Sequence, residues 1–200
     1  VLTVAWSKVA PAPTPTPTAT PTPMPADGVV SLTASEDTYV RGGGGSTSNF
    51  GSDVEIRVRS QGASSRRTLL KFDLTSIPTG ASVSSAILKL CPVIDVGASE
   101  AGSVHEIYRA TSAWSEATVT WNTQPPIAAQ VTDLITLIQG PNCYAFSVGA
   151  DVQSWLSGAS NDGWLVKDSN EGGTPAEVRY ASREAVDPLM RPQLVVTYTY

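Results

Sequence analysis

Histidine occurs once in the 200-residue chain, at position 105, and lysine only four times. A single imidazole removes histidine-rich metal sites, and no nucleophile-elbow pattern accompanies it. Basic residues number 13 against 18 acidic ones, for a net charge of -5, so the broad positive field that nucleic acid or an anionic membrane surface requires is missing. No run approaches the roughly 18 apolar residues of a membrane span. Cysteine appears twice, at Cys91 and Cys143, which allows one disulfide at most. In an oxidising compartment the pair closes a loop of about fifty residues, worth about 3–4 kcal/mol; the alternative is two buried thiols. The chain begins with Val1 rather than Met, and the expectation is a mature secreted product whose signal segment has gone.

What is abundant is Thr, Ser, Gly and Pro, a mixture suited to short strands and turns. From Val29 onward, alternating runs separated by turn residues predict an all-β, jelly-roll-like sandwich. Strands are expected near Val29–Leu32, Thr38–Val40, Val54–Val58, Arg67–Asp73, Ser82–Leu90, Ser103–Arg109, Tyr144–Ser147, Gly163–Lys167, Val178–Ser182 and Gln193–Tyr198. One short helix interrupts them. Val152, Trp155 and Leu156 fall at i, i+3 and i+4, and Gly158 supplies the stop. Glycines 42 to 45 and the Ile77-Pro78-Thr79-Gly80 segment are turns by their chemistry.

The first 28 residues differ in character. In residues 1–10, Leu2, Val4 and Trp6 alternate onto one face, with Val9 following, so an isolated strand is predicted. Residues 11–25 hold seven of the fifteen prolines. They read as a polyproline II spacer, part of a linker over 11–28, that holds the strand about 45 Å from the body at 29–200. Its Thr14, Thr16, Thr18, Thr20 and Thr22 are of the kind that carries O-linked sugars in Thr/Pro stalks.

Several phrases of the body resemble those of the DNRLRE family, the disaggregatase-related β-sandwich domains of extracellular proteins. They are ASEDTYV (34–40), SSRRTLLKFDLTSIPTGASVSSAILKL (64–90), YRATSAWSEATVTWNTQP (108–125), DVQSWLSGASNDGWLVK (151–167), YASRE (180–184) and RPQLVVTY (191–198). SAWSEATVTWN is the most specific. The resemblance implies a jelly-roll-like sandwich and a non-catalytic role as an appendage of larger secreted chains, with some relatives classed as alginate-recognising carbohydrate-binding modules. The N-terminal strand and spacer fall outside the family pattern, and no catalytic partner domain accompanies the body in this sequence.

Candidate sites are few, and catalytic residues are not expected. His105 reads as a structural histidine, in a strand where Val104 and Ile107 point elsewhere. The family phrases supply no carboxylate pair for glycoside hydrolysis. Ca2+ is the one cofactor with candidate ligands: Asp37 in ASEDTYV, Asn49 in the Gly-rich loop and Glu184 in YASRE. The plainer account makes Asp37 a turn residue and Glu184 a salt-bridge partner of Arg183. For a glycan, alternation throws Arg57 and Arg59 outward, opposite inward Val54, Ile56 and Val58, and places Lys71 and Lys89 opposite apolar neighbours. Arg57, Arg59, Lys71 and Lys89 then form a basic strip suited to uronate carboxylates, or else scattered solubilising charge. Trp114, Trp121, Trp155 and Trp164 are assigned to packing.

Two functions follow. An isolated amphipathic strand must pair with something, and a stiff spacer opposes folding back, so the leading expectation is a pilus-like extracellular filament. Its subunits join head to tail by donor-strand insertion through Leu2, Val4, Trp6 and Val9, making the chain its own partner. The alternative is a secreted module that binds an acidic, alginate-like polysaccharide. Neither is an enzyme, and neither has a nucleic-acid partner or membrane span.

Overall fold

The structure, a computed structural model, describes residues 1–5 and 26–200. The described residues form an all-β sandwich of eleven strands and one α-helix. In chain order these are β1 (Gly28–Thr33), β2 (Glu36–Arg41), β3 (Glu55–Ser60), β4 (Arg66–Lys71), β5 (Ser82–Leu90), β6 (Val104–Arg109), β7 (Asp133–Thr136), β8 (Tyr144–Ser147), α1 (Gly149–Leu156), β9 (Trp164–Asp168), β10 (Ala176–Ala181) and β11 (Gln193–Thr199). One sheet runs β1-β11-β5-β8; the other runs β10-β3-β4-β9-β6-β7, with β2 also paired to β4. All of these ladders are antiparallel.

Period-two alternation builds the core between the sheets. From one sheet come Leu88, Phe146, Leu194 and Val196; from the other come Ile56, Val58, Leu70, Ile107, Trp164, Val166 and Tyr180. Burying each of the larger side chains contributes about 1.5–3 kcal/mol. Helix α1 buries Val152 and Trp155 and packs over β5. Gln153 Oε1 accepts the Val83 amide at 2.7 Å, and Gly158, at φ 106°, ends the helix in a conformation that favours glycine. A second, smaller cluster lies under the 110–128 connector, where Trp114 and Val119 cover Val40, Leu69 and Leu165. Trp155 and Trp164 sit in the main core, Trp114 in the second, and Trp121 is half-buried at its edge.

Each of the ten strands expected from Val29 onward is present, within a residue or two at its ends. One was missed: β7 is a four-residue edge strand whose Leu134 faces solvent, so its apolar residues do not segregate cleanly. Two orientations need correction. Val54 precedes β3 and is exposed, not inward, because the strand's inward register starts at Ile56. His105 shares the inward face of β6 with Ile107, as residues two apart must.

Cys91 and Cys143 form a disulfide, with Cα atoms 4.2 Å apart. Cys91 follows β5 and Cys143 precedes β8, strands already paired at Leu90 and Tyr144. Beyond Cys91 the chain crosses to the other sheet, where the Val93 amide donates to Arg179 O and the Ala181 amide to Cys91 O. The bridge therefore anchors the point at which the sheets are stitched together.

Val1–Ala5 are exposed and make no strand pairing. Leu2 and Val4 of the expected donor strand are among them; Trp6, Val9 and the threonines of the spacer lie outside the described residues.

Candidate glycan-binding face

Strands β3 and β10 pair in register, so their outward residues form two facing rows. Glu55, Arg57 and Arg59 line one; Ala181, Arg179 and Glu177 line the other. The Arg59–Arg66 bridge brings in β4, and Arg41 of β2 stands opposite Arg66. Five guanidinium groups thus gather in one region: Arg41, Arg57, Arg59, Arg66 and Arg179.

Tyr39 forms the floor beneath two of them, Arg57 and Arg66. Its ring stacks on Phe50 at 4.3 Å, and the guanidinium carbons of Arg57 and Arg66 lie 5.2 and 5.9 Å from its centroid. Such cation–π contacts hold the planar groups in fixed orientations. The Tyr39 hydroxyl donates to Asp53 Oδ2 at 3.2 Å. Three carboxylates answer the five cations. Glu55 pairs with Arg57 at 3.1 Å and Arg179 at 3.9 Å. Glu177 meets Arg179 at 3.1 Å and Arg59 at 3.7 Å, and it also touches Arg66. Asp53 is the third. Burial lowers the Arg66 pKa, and Glu177 opposes that fall.

The local balance is an excess of two positive charges on a protein whose net charge is -5. Three donors within it, the Nε atoms of Arg41, Arg57 and Arg66, are buried and have no hydrogen-bond partner. A buried donor without a partner costs about 1–3 kcal/mol, so the cations of this cluster are incompletely satisfied within the protein. Beside Arg57 a shallow cleft of about 430 Å³ is lined by Ser52, Asp53, Val54, Glu55, Arg57 and Arg179.

The expected strip Arg57, Arg59, Lys71 and Lys89 is therefore only half assembled. Lys89 lies on β5, in the opposite sheet, between Gln193 and Ala145. Lys71 sits at the far end of β4 from Arg66, its Nζ 2.8 Å from Glu36 and 4.8 Å from the Trp114 ring centroid. Alternation reports which face of a strand a residue takes, but not which sheet the strand joins. Arg41, Arg66 and Arg179, which complete the real cluster, were not singled out by pattern.

The outer face across β4, β9 and β6 also carries cations and aromatics, but there each cation is matched. Arg67 forms a two-pronged pair with Glu171 at 2.7 and 2.8 Å and covers the Trp121 ring at 4.6 Å. Lys167 binds Glu106 at 3.0 Å and lies over Tyr108 at 5.3 Å. These rings already hold a cation against one face, and no surplus charge remains.

His105 is a core residue. It is 2% exposed, its Nδ1 lies 2.9 Å from the Tyr180 hydroxyl, and burial pushes its pKa down to about 3. It is neutral at ordinary pH and has no access to solvent.

Two of the expected cation ligands meet. Asp37, at the start of β2, and Glu184, in the loop after β10, each place a carboxylate oxygen within 4.8 Å of the other and of Glu116. Asp37 is 1% exposed, and burial, with Glu184 and Glu116 beside it, pushes its pKa up to about 8 against a hydrogen bond from the Arg183 amide. Asn49 plays another part: its Nδ2 donates to Glu116 O and Val119 O, both at 2.8 Å, and its Oδ1 accepts the Gly51 amide. Asn49 is spent on loop structure, while Glu116 of the SAWSEATVTWN phrase, which pattern reading passed over, takes the third place.

The sandwich thus leaves under-satisfied arginines on one sheet and seals its lone histidine in the core. The chain belongs to carbohydrate-binding module family 96, whose model matches residues 28–198. The matched family is named for carbohydrate binding and not for disaggregatase. No curated protein matches the chain. Membership of a family of binding modules agrees with the expectation of a non-catalytic protein. Among the described residues no helix is long and apolar enough to cross a membrane.

Proposed function

We propose that this module binds a uronate polysaccharide through the arginine cluster of β2, β3, β4 and β10. The observation that carries the reading is the surplus of guanidinium groups at Arg41, Arg57, Arg59, Arg66 and Arg179, with three buried Nε donors lacking partners. Uronate carboxylates are planar acceptors that match the guanidinium fork, and a polymer presents them at regular intervals along a strand-like chain. The resemblance of the chain's phrases to disaggregatase-related domains, some of whose relatives are classed as alginate-recognising modules, favours alginate among such polymers. The module acts outside the cell, a placement supported by the Cys91–Cys143 bridge, which an oxidising compartment maintains.

The polysaccharide reading replaces the filament reading as the leading one. Neither the fold nor the family supplies support for strand exchange between copies, whereas the family name and the charge arrangement both favour a glycan.

Affinity electrophoresis and calorimetry with oligomannuronate, oligogalacturonate and neutral cello-oligosaccharides test the proposal. The acidic oligomers bind and the neutral ones do not, and affinity falls as NaCl is raised from 50 to about 500 mM, as screening requires. Arg57→Ala and Arg179→Ala each weaken binding about 10- to 100-fold, the effect of losing one charge-assisted hydrogen bond. Lys89→Ala, on the opposite sheet, leaves it unchanged. Equal binding of neutral oligomers, or wild-type affinity in both arginine variants, refutes the assignment.

A further inference from the structure

We infer that Asp37, Glu116 and Glu184 hold a calcium ion that pins three distant segments of the sandwich together. These residues come from the start of β2, the connector after β6 and the loop after β10, and nothing in the glycan-binding reading requires them to meet. Their ligand oxygens all lie within 4.8 Å of one another. That spread is what one ion with ligands at about 2.3–2.6 Å permits.

A cluster of acids alone has many explanations, but two atoms here point to a missing partner. Asp37 is 1% exposed, and its Oδ1 has no hydrogen-bond partner. Glu184 Oε2 is also buried and also unpartnered. Every other oxygen of the three carboxylates is occupied. Asp37 Oδ2 accepts the Arg183 amide at 2.7 Å. Glu116 Oε1 accepts the Asp37 amide and Arg183 Nε, both at 2.9 Å, and its Oε2 accepts Arg183 Nη2 at 2.8 Å. Glu184 Oε1 pairs with Arg183 Nε at 2.9 Å. The bonding network thus orients the carboxylates and leaves one oxygen on each of two acids free.

Charge gives the same answer. Arg183 offsets one of the three carboxylates, and the neighbouring Glu36, which accepts the Glu116 amide at 2.9 Å, is neutralised by Lys71. With all three carboxylates ionised, the form in which they ligate a cation, the cluster carries two negative charges beyond Arg183, the complement of a divalent cation. Its donors are all hard carboxylate oxygens, without histidine or cysteine, which selects calcium or magnesium over zinc or copper. A set of carboxylates on three separate segments suits the larger, geometrically tolerant ion.

The ion has a mechanical consequence for the arginine face. The loop that carries Glu184 is tied to the cleft wall, since Ser182 Oγ donates to Asp53 O at 2.7 Å and the Ser182 amide to Val54 O at 3.1 Å. Calcium at Glu184 therefore stiffens the side of the cleft formed by residues 52–54.

Calorimetric titration of CaCl2 into the chelator-treated full chain tests this, alongside thermal melts in CaCl2, MgCl2 or EDTA. The expected result is one ion per chain and a melting temperature about 5–10 °C higher when calcium exceeds its dissociation constant 100-fold. Asp37→Asn abolishes the calcium heat and the calcium-dependent shift, and Glu184→Gln weakens binding at least 10-fold. Asp187→Asn, an acid outside the cluster, retains both. Asp37→Asn keeps a carbonyl oxygen and the shape of the side chain, and its melt in EDTA reports folding independently of the metal. Absence of calcium heat in the wild type, equal shifts from magnesium and calcium, or full calcium binding by Asp37→Asn overturns the inference. The glycan assignment is decided separately, by the Arg57→Ala and Arg179→Ala variants, so failure of the calcium site and failure of the glycan reading are distinguishable.

Discussion

Replacing Cys91 and Cys143 together by alanine removes a cross-link between positions 52 residues apart in sequence. The folded contacts change little, because Cys91 is buried, Cys143 is exposed, and alanine introduces no polar atom at either position. The main effect falls on the unfolded chain, which regains the freedom of a long loop. For a loop of this length the chain-entropy relation gives about 14 cal/mol/K, or about 4 kcal/mol at 25 °C. In a chain of this size each kcal/mol moves the melting temperature by about 2–4 °C, so the double variant melts about 8–16 °C below the wild type. Differential scanning fluorimetry under non-reducing conditions measures the difference. Glycan binding measured well below the melt is unchanged, since none of the clustered arginines lies between the two cysteines. A decrease of less than about 3 °C refutes the reasoning, for it means that the segment between them is as constrained in the unfolded chain without the bridge as with it.

Two further outcomes follow from the interior. His105 is neutral in the fold, with a pKa of about 3, but takes up a proton near pH 6.5 when unfolded. The unfolded state then binds more protons between those values, so this residue's contribution to stability is whole above pH 6.5 and declines as pH falls toward 3, by about 2–3 kcal/mol at pH 4.5. Denaturant titrations at a series of pH values should show that decline in the wild type and its absence in His105→Gln; parallel profiles count against it. Gly163, at φ 74° before β9, would place a Cβ only 2.1 Å from Leu70 O. Gly163→Ala is therefore expected to cost more than 2 kcal/mol in the same titrations, through both the close approach and the left-handed backbone, and a loss under 0.5 kcal/mol would contradict it.

Much of the fold was written in local pattern. Runs such as 86–90 and Tyr144–Ser147 alternate cleanly because one face of each strand meets the core and the other is more exposed. The helix was readable from Val152, Trp155 and Gly158, since spacing and a terminal glycine are both local signals. The site was less legible, for it depends on which strands become neighbours. Arg57 and Arg59 were recognised as outward residues, but their real companions come from β2, β4 and β10, whereas Lys89 went to the other sheet. Arg66 was hidden by its position, on the alternation that also carries buried Thr68 and Leu70. Glu116 was overlooked for a similar reason: its partners Asp37 and Arg183 lie 79 and 67 positions away, and no spacing rule spans that distance.

Strand β1 enters the sandwich beside the strand that leaves it. Gly28 is paired with Tyr198, and the Tyr200 amide donates to Asp27 Oδ1 at 2.7 Å. The two ends of the folded body therefore emerge side by side, like the leads of a plug-in component. A body with adjacent ends can be spliced into an exposed loop of a host protein, or circularly permuted by joining them, without redrawing its sheets. The arginine face, which belongs to the other sheet, would travel intact into either arrangement.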